Sequence, residues 1–230
     1  MNGITLWMAF VDAIPVFIFL AAALILIKDF ENSKGYGFIT AGTFMLFGGA
    51  ILKVAWKTMY ALDLCDYYTL SESFFPMQTI GFVLMSIGVA YEVVKLPKVF
   101  SIMFSSFVLV TFIGLVIVFT NSAKKDFVRT GTEVLPYESH MPFLLCTFVG
   151  FMVMQVLLIR LAIKRNTKLT CIAFIISAMF MIAEAVVGSM FNGSSDMHWV
   201  AQYIHIAAEI GLFFGALFVH KAKLKMTNTE

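Results

Sequence analysis

Charge is what this sequence has least of. Asp, Glu, Lys and Arg make up 13% of its 230 residues, hydrophobic residues make up 60%, and mean hydropathy is +0.91. Soluble domains carry about twice that share of charge, so the scarcity excludes an ordinary soluble core. With a net charge of +2 there is no basic surplus for nucleic acid either. Cysteine is equally sparse. Cys65, Cys146 and Cys171 show no metal or redox spacing, and a single disulfide between Cys65 and Cys146, both near one face, is the one pairing left open. The first apolar run reads as a retained helix rather than a cleavable leader: it has no charged start, no small-residue cleavage site, and an acid, Asp12, inside it.

What fills the chain instead is a series of apolar runs of bilayer length, about 20 residues each. They lie near Ile4 to Ile27, Tyr36 to Tyr60, Phe74 to Val94, Phe100 to Thr120, Pro142 to Ile163, Leu169 to Phe191 and Trp199 to His220. The expectation is an all-α, seven-helix polytopic protein forming one domain over 1–230, with no separate soluble domain and residence in the cell membrane. Basic residues orient it. With the N-terminus outside and the C-terminus cytoplasmic, the inner segments hold Lys28, Lys34, Lys95, Lys98, Arg160, Lys164, Arg165, Lys168, Lys221, Lys223 and Lys225, and the outer loops hold only Lys124, Lys125 and Arg129. That is a strong positive-inside bias. The one long connection, Asn121 to Met141, reads as a connector or a lid.

Against this apolar background the last run carries a polar stripe. His198, Gln202, His205 and Glu209 fall within about 60° of one another on a helix, at 100° per residue. Ionisable groups at such depth normally face a bundle interior or a watered cavity and mark function. Depth matching adds residues from other segments. Asp12 lies eight residues after Ile4, roughly 12 Å down; Lys53 precedes Tyr60 by seven; Gln78 follows Phe74 by four; Glu184 precedes Phe191 by seven. All sit in the external half, and below them the stripe turns apolar through Leu212 and Ala216 before His220. A polar chamber open outward and sealed beneath is the implied shape.

Charges in that chamber nearly balance. Asp12, Glu184 and Glu209 are acids, Lys53 and Lys57 are bases, and His205 titrates. Pairing makes buried ions tolerable, and the first expected pair is Asp12 with Lys53. His205 and Glu209, one turn apart, form the second. Glu184 has only Ser177, Met181 and Gly188 on its own face, so its partner must come from another helix, water, a ligand or a retained proton. Pro15 frees a carbonyl near Asp12. Gly48, Gly49, Gly211 and Gly215 mark close helix contacts, Phe and Met mostly fill core and lipid-facing surface, and Trp7, Trp56 and Trp199 read as interface anchors, with ligand stacking as the alternative for Trp56.

Three known architectures bear on function. Seven helices with an external N-terminus resemble microbial rhodopsins, whose retinal needs a lysine midway along the last helix; Glu209 and Ile210 stand there, so the likeness is topological. The His205-x-x-x-Glu209 spacing, with Asp12 or Glu184 as a further ligand, resembles the donor sets of alkaline ceramidases and progestin-receptor-like proteins. It would imply zinc and a metal-dependent hydrolase of lipid-like substrates, although His140 and His198 sit too shallow to complete the site. One deep histidine is too few for bis-histidine haem. Size, span number and orientation are similar to the SWEET and PQ-loop family, built as three helices, a linker and three more. Phe75 and Gln78 match Trp199 and Gln202 at an offset of 124, and the fourth run has no ionisable residue. Pro76-Met77-Gln78 departs from that family's proline-glutamine dipeptide. The implied repeat would relate 4–94 to 142–220 through a linker helix at 100–120.

The reading that follows is a membrane protein whose outward-facing pocket binds or moves a small polar or amphipathic molecule. Proton coupling would run through His205 and Glu209. Asp12, Lys53, Lys57, Gln78, Glu184, Gln202, His205 and Glu209 are its candidate residues, and no cofactor is called for. Lys53 and Lys57 would attract an anionic group, Glu184 and Glu209 a cationic one, and a zwitterion satisfies both. The zinc hydrolase, with His205, Glu209, Asp12 and Glu184, is the alternative, and a seven-helix receptor or scaffold without retinal the third.

Overall fold

The structure is a computed structural model that describes residues 5–64, 67, 69–94, 141–190 and 195–227. The run Phe100–Thr120, most of the loop after it, Cys65 with its pairing to Cys146, His140, and the side chain of His198 lie outside the described residues. Within them the protein is all helical, with no strand. The elements are α1 (Leu6–Asp29), α2 (Tyr36–Ala61), a single turn α3 (Thr69–Glu72), α4 (Phe74–Val93), α5 (Met141–Lys164), α6 (Lys168–Met190) and α7 (Ser195–Thr227). All but α3 are long and apolar enough to cross a membrane, six in number. Their apolar outer faces, such as Phe10, Phe44, Ile163 and Leu169, are widely exposed, the surface a bilayer would cover.

Helix ends follow local chemistry. Thr5 caps α1, its hydroxyl accepting from the Met8 amide at 3.3 Å. α2 and α5 each end in a left-handed residue, Asp63 and Asn166, both at φ 53°. In the α5 turn the Asn166 amide donates to Ile163 O at 2.9 Å and the Thr167 amide to Ala162 O at 3.0 Å, a Schellman closure that turns the chain sharply into α6 and fixes Arg165 at the corner.

The six long helices touch in a closed ring, α1–α2–α4–α5–α6–α7 and back to α1. Two neighbours run parallel. Along α4 and α5, Thr79 meets Thr147 at 2.9 Å and the Glu92 carbonyl meets Lys164 at 2.9 Å; along α1 and α7, Asp12 meets Gln202 and Asp29 meets His220. The antiparallel α2–α4 contact is close, and glycine makes it so. Gly35, Gly42 and Gly49 recur every seven residues on α2, Gly81 and Gly88 on α4. A Cβ on Gly35 would stand 2.0 Å from Gly88 O, and one on Gly42 2.7 Å from Gly81 O. The expected close contacts at Gly49, against Met77, and at Gly215, against Phe174, are present too.

Polarity is divided along the bundle axis. The apolar core draws Phe19 and Leu26 from α1, Leu46 from α2, Met85 from α4, Leu158 from α5, Phe174 from α6 and Leu212 and Ala216 from α7. On α1, α2, α6 and α7 these residues lie toward the Asp29 end relative to the polar residue of the same helix, Asp12, Lys53, Glu184 or Glu209. The polar layer therefore occupies the half nearer Thr5, with packed hydrocarbon beneath it.

Candidate functional site

The polar layer is assembled from α1, α2, α6 and α7. Asp12 uses both carboxylate oxygens: Oδ2 accepts from Lys57 Nζ and Oδ1 from Gln202 Nε2. The expected partner of Asp12 was Lys53, and the structure corrects this. Lys53 and Lys57 stand one turn apart on the same face of α2, and it is Lys57, nearly buried, that reaches Asp12. Lys53 instead holds its ammonium 4.1 Å above the Phe74 ring centroid and 5.8 Å from that of Phe75, a cation–π seat on α4.

The second cluster joins α6 to α7. His205 Nδ1 lies 2.7 Å from Glu184 Oε2, so the partner that Glu184 lacks on its own helix comes from α7. Glu209 is the more distant neighbour, its Oε1 3.9 Å from His205 Nε2, beyond hydrogen-bond length. Its other oxygen, Oε2, is buried with no hydrogen-bond partner, as is Gln202 Oε1. Lys53 lies within electrostatic range of Asp12, Lys57 and Glu184, and His205 within range of Glu184, Glu209 and Lys53. The two clusters thus form one charged layer, with Lys53 between them.

Gln78 stands apart. Its Nε2 points to Leu46 O at 3.4 Å, seven residues and about 10 Å from the level of Lys53 along α2, and no contact joins it to the other seven residues. Trp56 is also differently placed from its expectation. It is 4% exposed and tilted against Tyr60 at 5.9 Å, whereas Trp7 is 67% exposed as an interface anchor should be. For zinc the donors are poorly arranged: Asp12 is engaged by Lys57 and Gln202 away from His205, and among the described residues no three His, Cys, Asp or Glu side chains converge to hold a metal ion.

Sequence patterning missed a further charged cluster at the far end of the bundle. Asp29 accepts from Arg165 at 2.6 Å, meets His220 at 3.2 Å, and offers its carbonyl to Lys223. Arg165 and Lys223 read as topology charges in the sequence; here Arg165 also neutralises a buried acid, and Lys223 holds the backbone carbonyl of the same residue. An acid at the end of a span with a histidine and basic residues at the matching level was the available signal.

Comparison with protein-family models, with curated proteins and with solved structures finds no match.

Proposed function

We propose that this protein is a seven-span integral membrane protein of the cell membrane, oriented with its N-terminus outside, whose outer polar layer binds or carries a small zwitterionic molecule. One observation carries the choice of ligand. After Asp12 pairs with Lys57 and Glu184 with His205, one base and one acid of the layer have no hydrogen-bonded counter-ion among the described residues: Lys53, resting on aromatic faces, and Glu209, whose Oε1 stands 3.9 Å from His205 and whose Oε2 is unpartnered. Charges of this kind within a membrane span are costly until matched. A ligand carboxylate at Lys53 and a ligand ammonium at Glu209 match both, with Gln202 Oε1 as a further acceptor.

The span count is supported by direction. α4 and α5 run parallel, and between them the sequence holds Phe100–Thr120, an apolar run of the length that crosses a bilayer. The contact ring also supports the three-one-three repeat: α1, α2 and α4 run down, up and down, α5, α6 and α7 do the same, and the halves meet through α4–α5 and α7–α1. Eleven inner against three outer basic residues support the orientation.

The test is thermal unfolding of the purified protein with a panel of small amino acids and betaines, each matched to the carboxylate or ammonium compound that carries one charge only. Zwitterions are expected to raise the midpoint by about 5 °C at saturation, single-charge analogues much less. Metal analysis of the same preparation tests the hydrolase alternative: zinc at one per chain, lost in Glu209→Ala, would displace the carrier.

A further inference from the structure

The outer layer leaves the Asp29 cluster without a role, and the way it is connected suggests one. The Asp29 side chain is completely buried. Its partners all come from the other half of the ring: Arg165 from the turn between α5 and α6, which also donates to Val219 O at 3.1 Å, and His220 and Lys223 from α7. On the opposite seam, Lys164 of α5 donates to the Glu92 carbonyl of α4 at 2.9 Å.

The two ends of the bundle are thus held differently. At the His205 end, ion pairs stay within a half, Asp12–Lys57 in α1–α2 and Glu184–His205 in α6–α7. Among the described residues, the hydrogen bonds that bridge the halves there come from uncharged donors, such as Gln202 to Asp12 and the Thr79–Thr147 hydroxyl pair. At the Asp29 end, the Asp29–Arg165 ion pair and the Asp29–His220 contact both cross from one half to the other. Separating neutral bridges is mild beside stripping a buried carboxylate of its cations. Packing is incomplete at that seam. A cavity of about 150 Å³ opens beside Asp29, with Asn32, Ser33 and Glu92 on one side and Arg165 and Lys223 on the other.

We propose that the Asp29–Arg165–His220 cluster is the inner gate of the carrier. It holds the α1–α4 and α5–α7 halves together at the cytoplasmic end while the neutrally bridged outer end parts, and the adjoining cavity is the start of the inner exit. This rests on the carrier function and on the two halves moving as bodies.

A thiol reporter tests it without any ligand. Ala216, fully buried on α7 between Glu209 and His220, is changed to Cys in a background with Cys65, Cys146 and Cys171 replaced by Ser. An impermeant maleimide is then applied to membrane vesicles of either orientation. The reporter is expected to be protected with Asp29 intact. Asp29→Asn should raise labelling from the Asp29 side about tenfold or more with no rise from the other side. Arg165→Gln should do the same, and the double variant should add nothing. Should Asp29→Asn not accumulate, Arg165→Gln and His220→Asn decide the matter. Unchanged labelling in the variants that fold, or an equal rise from both sides, overturns the gate. Because labelling reads helix separation alone, a failed ligand screen and a failed gate are separate results.

Discussion

His205 and Glu184 face each other across the α6–α7 interface with Nδ1 and Oε2 2.7 Å apart. This contact supplies the histidine with a carboxylate on one nitrogen while the other looks toward Glu209 at 3.9 Å. A proton on His205 and a ligand ammonium at Glu209 would repel each other. The affinity of a zwitterion is therefore expected to fall toward acid pH across the range in which His205 takes up its proton, and His205→Ala should flatten that dependence. Isothermal titration across this range checks it; an unchanged profile in the variant removes His205 from any proton coupling.

The Asp12–Lys57 pair is expected to be asymmetric in its cost. Asp12→Ala leaves Lys57 buried without its carboxylate and should destabilise the protein by about 3–5 kcal/mol, while the double variant Asp12→Leu/Lys57→Met should be markedly milder. A double-mutant cycle in unfolding free energy measures the coupling. Equal, additive losses would show that the two side chains do not depend on each other.

Glycine position, not glycine content, should govern the α2–α4 contact. Gly42→Ala places a methyl 2.7 Å from Gly81 O and should cost about 1–3 kcal/mol. Gly37→Ala, on the same helix with nothing within 4 Å of the new methyl, should stabilise by about 0.5–1 kcal/mol. Thermal unfolding of the two variants separates them, and equal behaviour would contradict the close contact.

Asn166 is the left-handed closing residue that orients Arg165. Asn166→Gly should be neutral or slightly stabilising, and Asn166→Ile should lose about 1–2 kcal/mol. The unfolding midpoint reports both.

The helices were legible in the sequence because bilayer length and lack of charge leave little alternative: the six described spans start and end within a few residues of the apolar runs, except α7, which begins at Ser195 and continues to Thr227. The membership of the polar layer was legible for the same reason, since an ion in hydrocarbon stands out. Pairing was not. Lys53 and Lys57 share one face of α2, their long side chains reach either way, and counting residues from a span end cannot resolve one helical turn; only the packing of Phe74 and Phe75 beneath Lys53 separates them. Gln78 stands apart from the other candidates for a related reason, because depth says nothing about which neighbour a side chain faces. The seven-residue glycine pattern on α2 and α4 was in plain view but is invisible to a search for four-residue spacing. Asp29 lies at a span end, where an acid does not stand out, and only the packing brings Arg165 and His220 over it.

The central claim is that Lys53 and Glu209 hold the two ends of one ligand. The most direct measurement is charge selectivity in variants, read as the thermal stabilisation given by a zwitterion and its single-charge analogues. Lys53→Gln should abolish the advantage of a ligand carboxylate and leave that of the ammonium, and Glu209→Gln should do the reverse. A zwitterion preference that survives both substitutions, or a protein that no member of the panel stabilises, would contradict the account.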